Sequence, residues 1–104
     1  MNRKINLGDF GTFAHVNPDK AQALKVLEEA SEVVEAYKAY HKRSMESPFS
    51  QEKTIGEYRY ELLDECADVC QAVANLVVAL TPWDNEWDKA VKRCHDRNEI
   101  RGRY

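Results

Sequence analysis

The stretch Glu57–Leu80, EYRYELLDECADVCQAVANLVVAL, constrains this chain more than any other, because its pattern makes sense only as a helix. At about 100° per residue, Leu62, Cys66, Val69, Val73, Leu76, Val77 and Leu80 form one apolar stripe. On its flank Glu61, Glu65 and Asp68 fall within about 60° of one another, and small Ala72 and polar Asn75 follow on that side. Burial and like charge both oppose ionisation of carboxylates at such a border. A solvated helix keeps acids on its far side at less cost. The competing reading is that these are ordinary surface acids of a bundle helix.

The 104 residues suit one domain, 1–104, with one modest core. A hydrophobic fraction of 43% fits a folded chain, and no apolar run approaches the roughly 18 residues of a membrane span, since Asn75 interrupts the best candidate. The start, MNRKINLGDFGTF, lacks the continuous apolar section of a signal peptide, so the expected location is cytoplasmic. Cys66, Cys70 and Cys94 make no disulfide framework, and Cys66/Cys70 read as two buried thiols at helical spacing. A formal net charge of −3, without a broad basic face, argues against nucleic acid as a partner.

Residues 1–16 have no helical period and read as an irregular arm, with Phe10 and Phe13 available for docking. Asn17–Pro18 predicts a helix start, with Asn17 as cap and Pro18 in the first helical position, running to about Arg43. Its apolar side is Leu24, Leu27, Ala30, Val34, Tyr37 and His41, and the basic end at His41, Lys42 and Arg43 complements the dipole. Residues 44–53 are a break. Thr54 and Glu57 have capping-box spacing, so a second helix is expected over 55–80. Thr81, Pro82 and Asp84 predict a third over 82–97, with Trp83 and Trp87 as packing residues.

The first helix carries Glu28, Glu29, Glu32 and Glu35. Carboxylates three residues apart lean toward a common point, but spacing does not say which two would hold a metal. Packed antiparallel, the two acidic helices offer converging oxygen ligands, the preference of magnesium and other hard divalent cations. Such an ion would also attract phosphate and acidify water. A di-iron bundle needs Glu-x-x-His, and none of His15, His41 or His95 follows a glutamate at that spacing. A small helical chain supplies no obvious sugar cleft, and Gly8 and Gly11 do not make a phosphate loop.

The segments Lys25-Val-Leu-Glu28-Glu29-Ala-Ser-Glu32 and Glu65-Cys-Ala-Asp68-Val-Cys-Gln-Ala-Val-Ala-Asn75-Leu resemble the all-alpha nucleoside triphosphate pyrophosphohydrolases of the MazG type. The likeness lies in Glu-Glu-x-x-Glu on one helix and Glu-x-x-Asp on the next, and it covers roughly residues 20–104. Asp64 stands where the second motif more usually begins with glutamate, while Glu61 adds an acid one turn earlier. The resemblance implies magnesium, or manganese, on Glu29, Glu32, Glu65 and Asp68, with Glu28 beside them orienting water. It implies that Asn75 lies near the nucleotide and that the closing stretch is a basic tail. The guanidinium groups of Arg97, Arg101 and Arg103 suit phosphate oxygens.

The expected fold is therefore all-α: an antiparallel helical bundle with an irregular N-terminal arm, completed by oligomerisation because these helices leave a thin core. The expected function is metal-dependent hydrolysis of a nucleoside triphosphate to monophosphate and pyrophosphate, in a homodimer or homotetramer. The alternative is a non-catalytic helical structural or regulatory interaction protein.

Overall fold

The computed structural model describes residues 3–49, 53–81, 83 and 85–104. It is all-helical among these residues, in the order α1 (Lys20–Ser44), α2 (Ile55–Leu80) and α3 (Glu86–Ile100), after an irregular arm. No helix among the described residues is long and apolar enough to cross a membrane.

The second helix has the expected bounds. Thr54 is extended and its side chain accepts the Glu57 N–H at 3.2 Å, one of the donors a helix start leaves unpaired. The other two starts differ from expectation. In α1 the cap is Asp19, whose Oδ1 accepts the Gln22 N–H at 2.9 Å, while the Asn17 carbonyl accepts from Asp19 in a preceding turn. Proline 18 precedes the cap instead of opening the helix, and a carboxylate meets the positive end of the dipole. Thr81 does not start α3 but ends α2: its N–H and its hydroxyl both donate to the Val77 carbonyl, at 2.9 and 2.6 Å. The third helix begins at Glu86 after Asn85, which makes no side-chain cap bond, and extends past Arg97 to Ile100. Pro82 and Asp84, expected to open that helix, lie outside the described residues.

The end of α3 is closed by Gly102 at φ 69, a left-handed position that suits glycine. Its N–H reaches the Glu99 carbonyl at 3.0 Å and that of Arg103 reaches Asn98 at 3.0 Å, the paired bonds of a Schellman motif. Tyr104 then stacks on His95 with ring centroids 4.7 Å apart, and the Arg103 guanidinium donates to Asn98 Oδ1. The tail thus folds back on its own helix.

α1 packs along α2, and α3 makes no comparable packing with either. Arg43, near the end of α1, meets Lys53 just before α2, while Glu29 meets Glu65 and Asp68 well along both helices, so the pair runs antiparallel. Arg43 is buried and closes this hairpin, donating from Nε to the Lys53 carbonyl at 2.8 Å and from Nη1 to the Ser47 carbonyl at 3.2 Å.

Very little is enclosed. Among the described residues the buried side chains are Ala72, Asn75 and Arg43, and the radius of gyration is 17.2 Å, against roughly 13 Å for a compact chain of about 100 residues. The expected apolar side of α1 is half open at Leu24, Leu27, Val34 and Tyr37. Trp83 and Trp87 are exposed and wall an open apolar groove of about 890 Å³ between the arm, α2 and α3. Cys66 is exposed and Cys70 half-buried in that groove, so the two thiols are not both buried: much of the α2 stripe is only half covered, by the arm and by Trp87 and Val91 of α3 across the open groove.

Candidate functional site

Acidic side chains of α1 and α2 meet where the two helices cross. Glu29 from α1 and Glu65 and Asp68 from α2 each bring one carboxylate oxygen to within 4.8 Å of the others. The i,i+3 spacing on α2 puts Glu65 and Asp68 on one face, and the antiparallel register brings Glu29 opposite. Glu29 and Glu65 are half-buried and Asp68 is exposed. Glu65 Oε2 is buried and has no hydrogen-bond partner.

Glu65 consequently holds its proton above the ordinary carboxylate range. Burial is the main cause, followed by the neighbouring carboxyl of Glu32 and the charges of Asp68 and Glu29. One Glu65 oxygen is buried without a donor while two further carboxylates stand close, and the nearby cation Lys25 is paired with Glu28 and Glu29 instead. The donor set is all oxygen and anionic, so the residues present fit a hard divalent cation such as magnesium or manganese.

The expected residues are only partly brought together. Glu32 stands against Glu65 but is exposed and outside the tight group of three. Glu28 points away, 64% exposed and held by Lys25 Nζ at 3.2 Å. Glu61 pairs with Lys53 at 2.6 Å and Glu35 with Lys38 at 3.2 Å, so each has a cation partner elsewhere. Arg97, Arg101 and Arg103 are exposed on α3 and its tail and do not line the acidic cavity.

Asn75 is 3% exposed and sits about two turns beyond Asp68, where it fastens the arm. Its Oδ1 accepts the Phe13 N–H at 3.1 Å and Gln71 Nε2 at 3.1 Å, and Gln71 Nε2 also donates to the Gly11 carbonyl at 2.8 Å. Phe13, Gln71 and Asn75, together with Lys25, Glu29, Asp68 and Ala72, line a cavity of about 240 Å³ beside the carboxylates. It is smaller than the apolar groove, yet it is the one with chemistry on its walls.

Four lining residues, Phe13, Lys25, Gln71 and Ala72, were not singled out as site residues by the sequence. Gln71 shares the flank of Asp68 and Asn75 and was legible there. Lys25 lies four residues before Glu29, a spacing that reads as a simple ion pair. Phe13 was expected to dock, but nothing local placed it at the acidic helices, because the arm reaches Asn75 across 62 positions of chain.

Compared with known protein families, characterised proteins and solved structures, the chain matches none.

Proposed function

We propose that this chain is a cytoplasmic, metal-dependent nucleoside triphosphate pyrophosphohydrolase of the MazG type, releasing a nucleoside monophosphate and pyrophosphate. The observation that carries the reading is the convergence of Glu29, Glu65 and Asp68 from two helices, with Glu65 Oε2 buried and unpartnered. Those are positions of the Glu-Glu-x-x-Glu and Glu-x-x-Asp motifs, so the spacing and the geometry support the same chemistry. Glu29, Glu65 and Asp68 would hold magnesium or manganese, with Glu32 against Glu65 as a fourth oxygen donor. Bound there, the ion supplies positive charge for the triphosphate and a water of lowered pKa, for attack at the α–β linkage.

The chain's own groups hold and orient. The carboxylates would fix the cation's position, while Asn75 lines the cavity and holds the arm beside it. Arg97 lies on α3 and Arg103 is tied back to Asn98, away from the acidic cavity, so these arginines would reach a triphosphate from a neighbouring subunit of a homodimer or homotetramer. The large radius of gyration and the open tryptophans support that assembly.

A magnesium-dependent screen of ribo- and deoxyribonucleoside triphosphates tests the function. Turnover with equal yields of monophosphate and pyrophosphate is expected. No turnover of any triphosphate would favour the second reading, a non-catalytic interaction protein, for which the open apolar groove is the supporting observation.

A further inference from the structure

We propose that the outward face of α1 is the surface on which two copies of this chain pair, antiparallel and about a two-fold axis. The inference deepens the assembly named in the functional reading and rests on that part of it alone, not on catalysis.

The first helix is apolar on two sides. Val26, Val33, Ala36 and Tyr40 recur at helical spacing, are half-buried and form, with Glu29, the side that packs along α2. Leu24, Leu27, Val34, Tyr37 and His41 lie about 120° further round and make a second stripe, about 26 Å long. All five are exposed, Leu27 by 65% and Val34 by 52%. Among the described residues no helix besides α2 packs comparably on α1. His41 stacks on Tyr37 with ring centroids 5.9 Å apart, so the two rings are already gathered on this face. One apolar side is enough to hold a helix in a hairpin, and a continuous second one left in water is a surface for another chain.

Area and charge name that chain. The molecule exposes 8612 Å², about 2,600 Å² more than the roughly 6,000 Å² of a compact monomer of 12.0 kDa. A standard interface removes about 800 Å² from each partner, so the excess is ample for a stable pair. Two-fold pairing further requires a face that fits itself. With Leu27 of one copy against Val34 of the other, Leu24 meets Tyr37 and the stripe covers its own image. The same register sets the basic end, His41 and Lys42, beside the other helix start, where Asp19 and Lys20 cancel. Parallel pairing would instead press the two basic ends together and align the helix dipoles side by side.

Light scattering and circular dichroism on Leu27→Glu, Val34→Lys and their equimolar mixture test this. Through the symmetry each substitution places a charge in the apolar interface twice. Each variant alone should pair at least about 10²-fold more weakly and show at most half the mass of the unsubstituted assembly at micromolar concentration. The mixture should regain that mass, since the introduced carboxylate of one copy then meets the introduced ammonium of the other. Should the separated chains lose helix, the mixture still decides, because pairing restores helix and mass together. An unchanged mass in Leu27→Glu, a mixture that does not regain mass, or a single-chain mass for the unsubstituted protein would overturn the proposal. So would a mass that falls in Val91→Glu, across the apolar groove, and in neither α1 variant. The two readings fail separately: a protein that pairs through α1 and hydrolyses no triphosphate loses only the catalytic reading. Hydrolysis by an assembly whose mass Leu27→Glu leaves intact removes only this face.

Discussion

Glu65 brings a carboxylate into a place where one oxygen meets no donor and three other acids lie near. Its proton is held above the ordinary value of 4.5, so the folded chain binds that proton more tightly than the unfolded chain does. The resulting stability is fully present below the unfolded pKa and is lost as pH rises through the folded one. Without divalent cations, Glu65→Gln should therefore unfold at higher urea than the unsubstituted protein at about pH 7.5, with a smaller difference at about pH 4.5. An equal loss of stability between those pH values in both proteins would contradict the assignment. At this scale the sequence was most informative for acids related by helical period. The pair Glu65 and Asp68 was readable from spacing, whereas Glu29 was one of four acids on its helix and only the resemblance picked it out. The sequence offered Phe13 as a docking residue of the arm but not its place beside Asn75, which depends on the path of an arm with no period.

Helix ends were legible where one candidate cap stood alone. Thr54 had no rival, and α2 starts where its spacing predicts. Before α1 the chain offers both Asn17 and Asp19, and the carboxylate nearer the helix takes the cap. After α2, threonine followed by proline suggested a start, yet the hydroxyl turns back to the Val77 carbonyl and serves as an end. A threonine side chain can satisfy either terminus, so sequence alone does not choose. Arg43 is a similar case, expected to complement the dipole of α1 and found clasping two loop carbonyls. Arg43→Met should lower the stability of the hairpin by about 1–3 kcal/mol in urea denaturation. The exposed neighbour Lys42, changed to Met, should cost within about 0.5 kcal/mol. Equal effects would mean that the loop does not depend on the guanidinium.

The whole molecule combines a packed helical hairpin with a third helix that has no comparable partner. The all-helical class and the irregular arm were readable from periodicity. The open stance of α3 was not, because an amphipathic pattern states that a face needs cover and not what covers it. Exposed Trp83, Trp87 and Val91 along the groove are that uncovered face. If a second copy supplies the cover, light scattering at micromolar concentration should give at least twice the mass of one chain. A stable single-chain mass there would contradict assembly and leave the tail arginines without a route to the acidic cluster.

The account depends most on the acidic cluster being the catalytic one. The most direct measurement is magnesium-dependent pyrophosphate release from a turned-over nucleoside triphosphate by the unsubstituted protein, Glu65→Gln and Glu46→Gln. Glu46 lies in the break after α1, outside the cluster. Glu65→Gln keeps the size of the side chain but removes an anionic ligand, and its rate should fall by at least about 10²-fold while helicity and assembly persist. Glu46→Gln should match the unsubstituted protein. Equal rates in all three would remove the carboxylates from the mechanism.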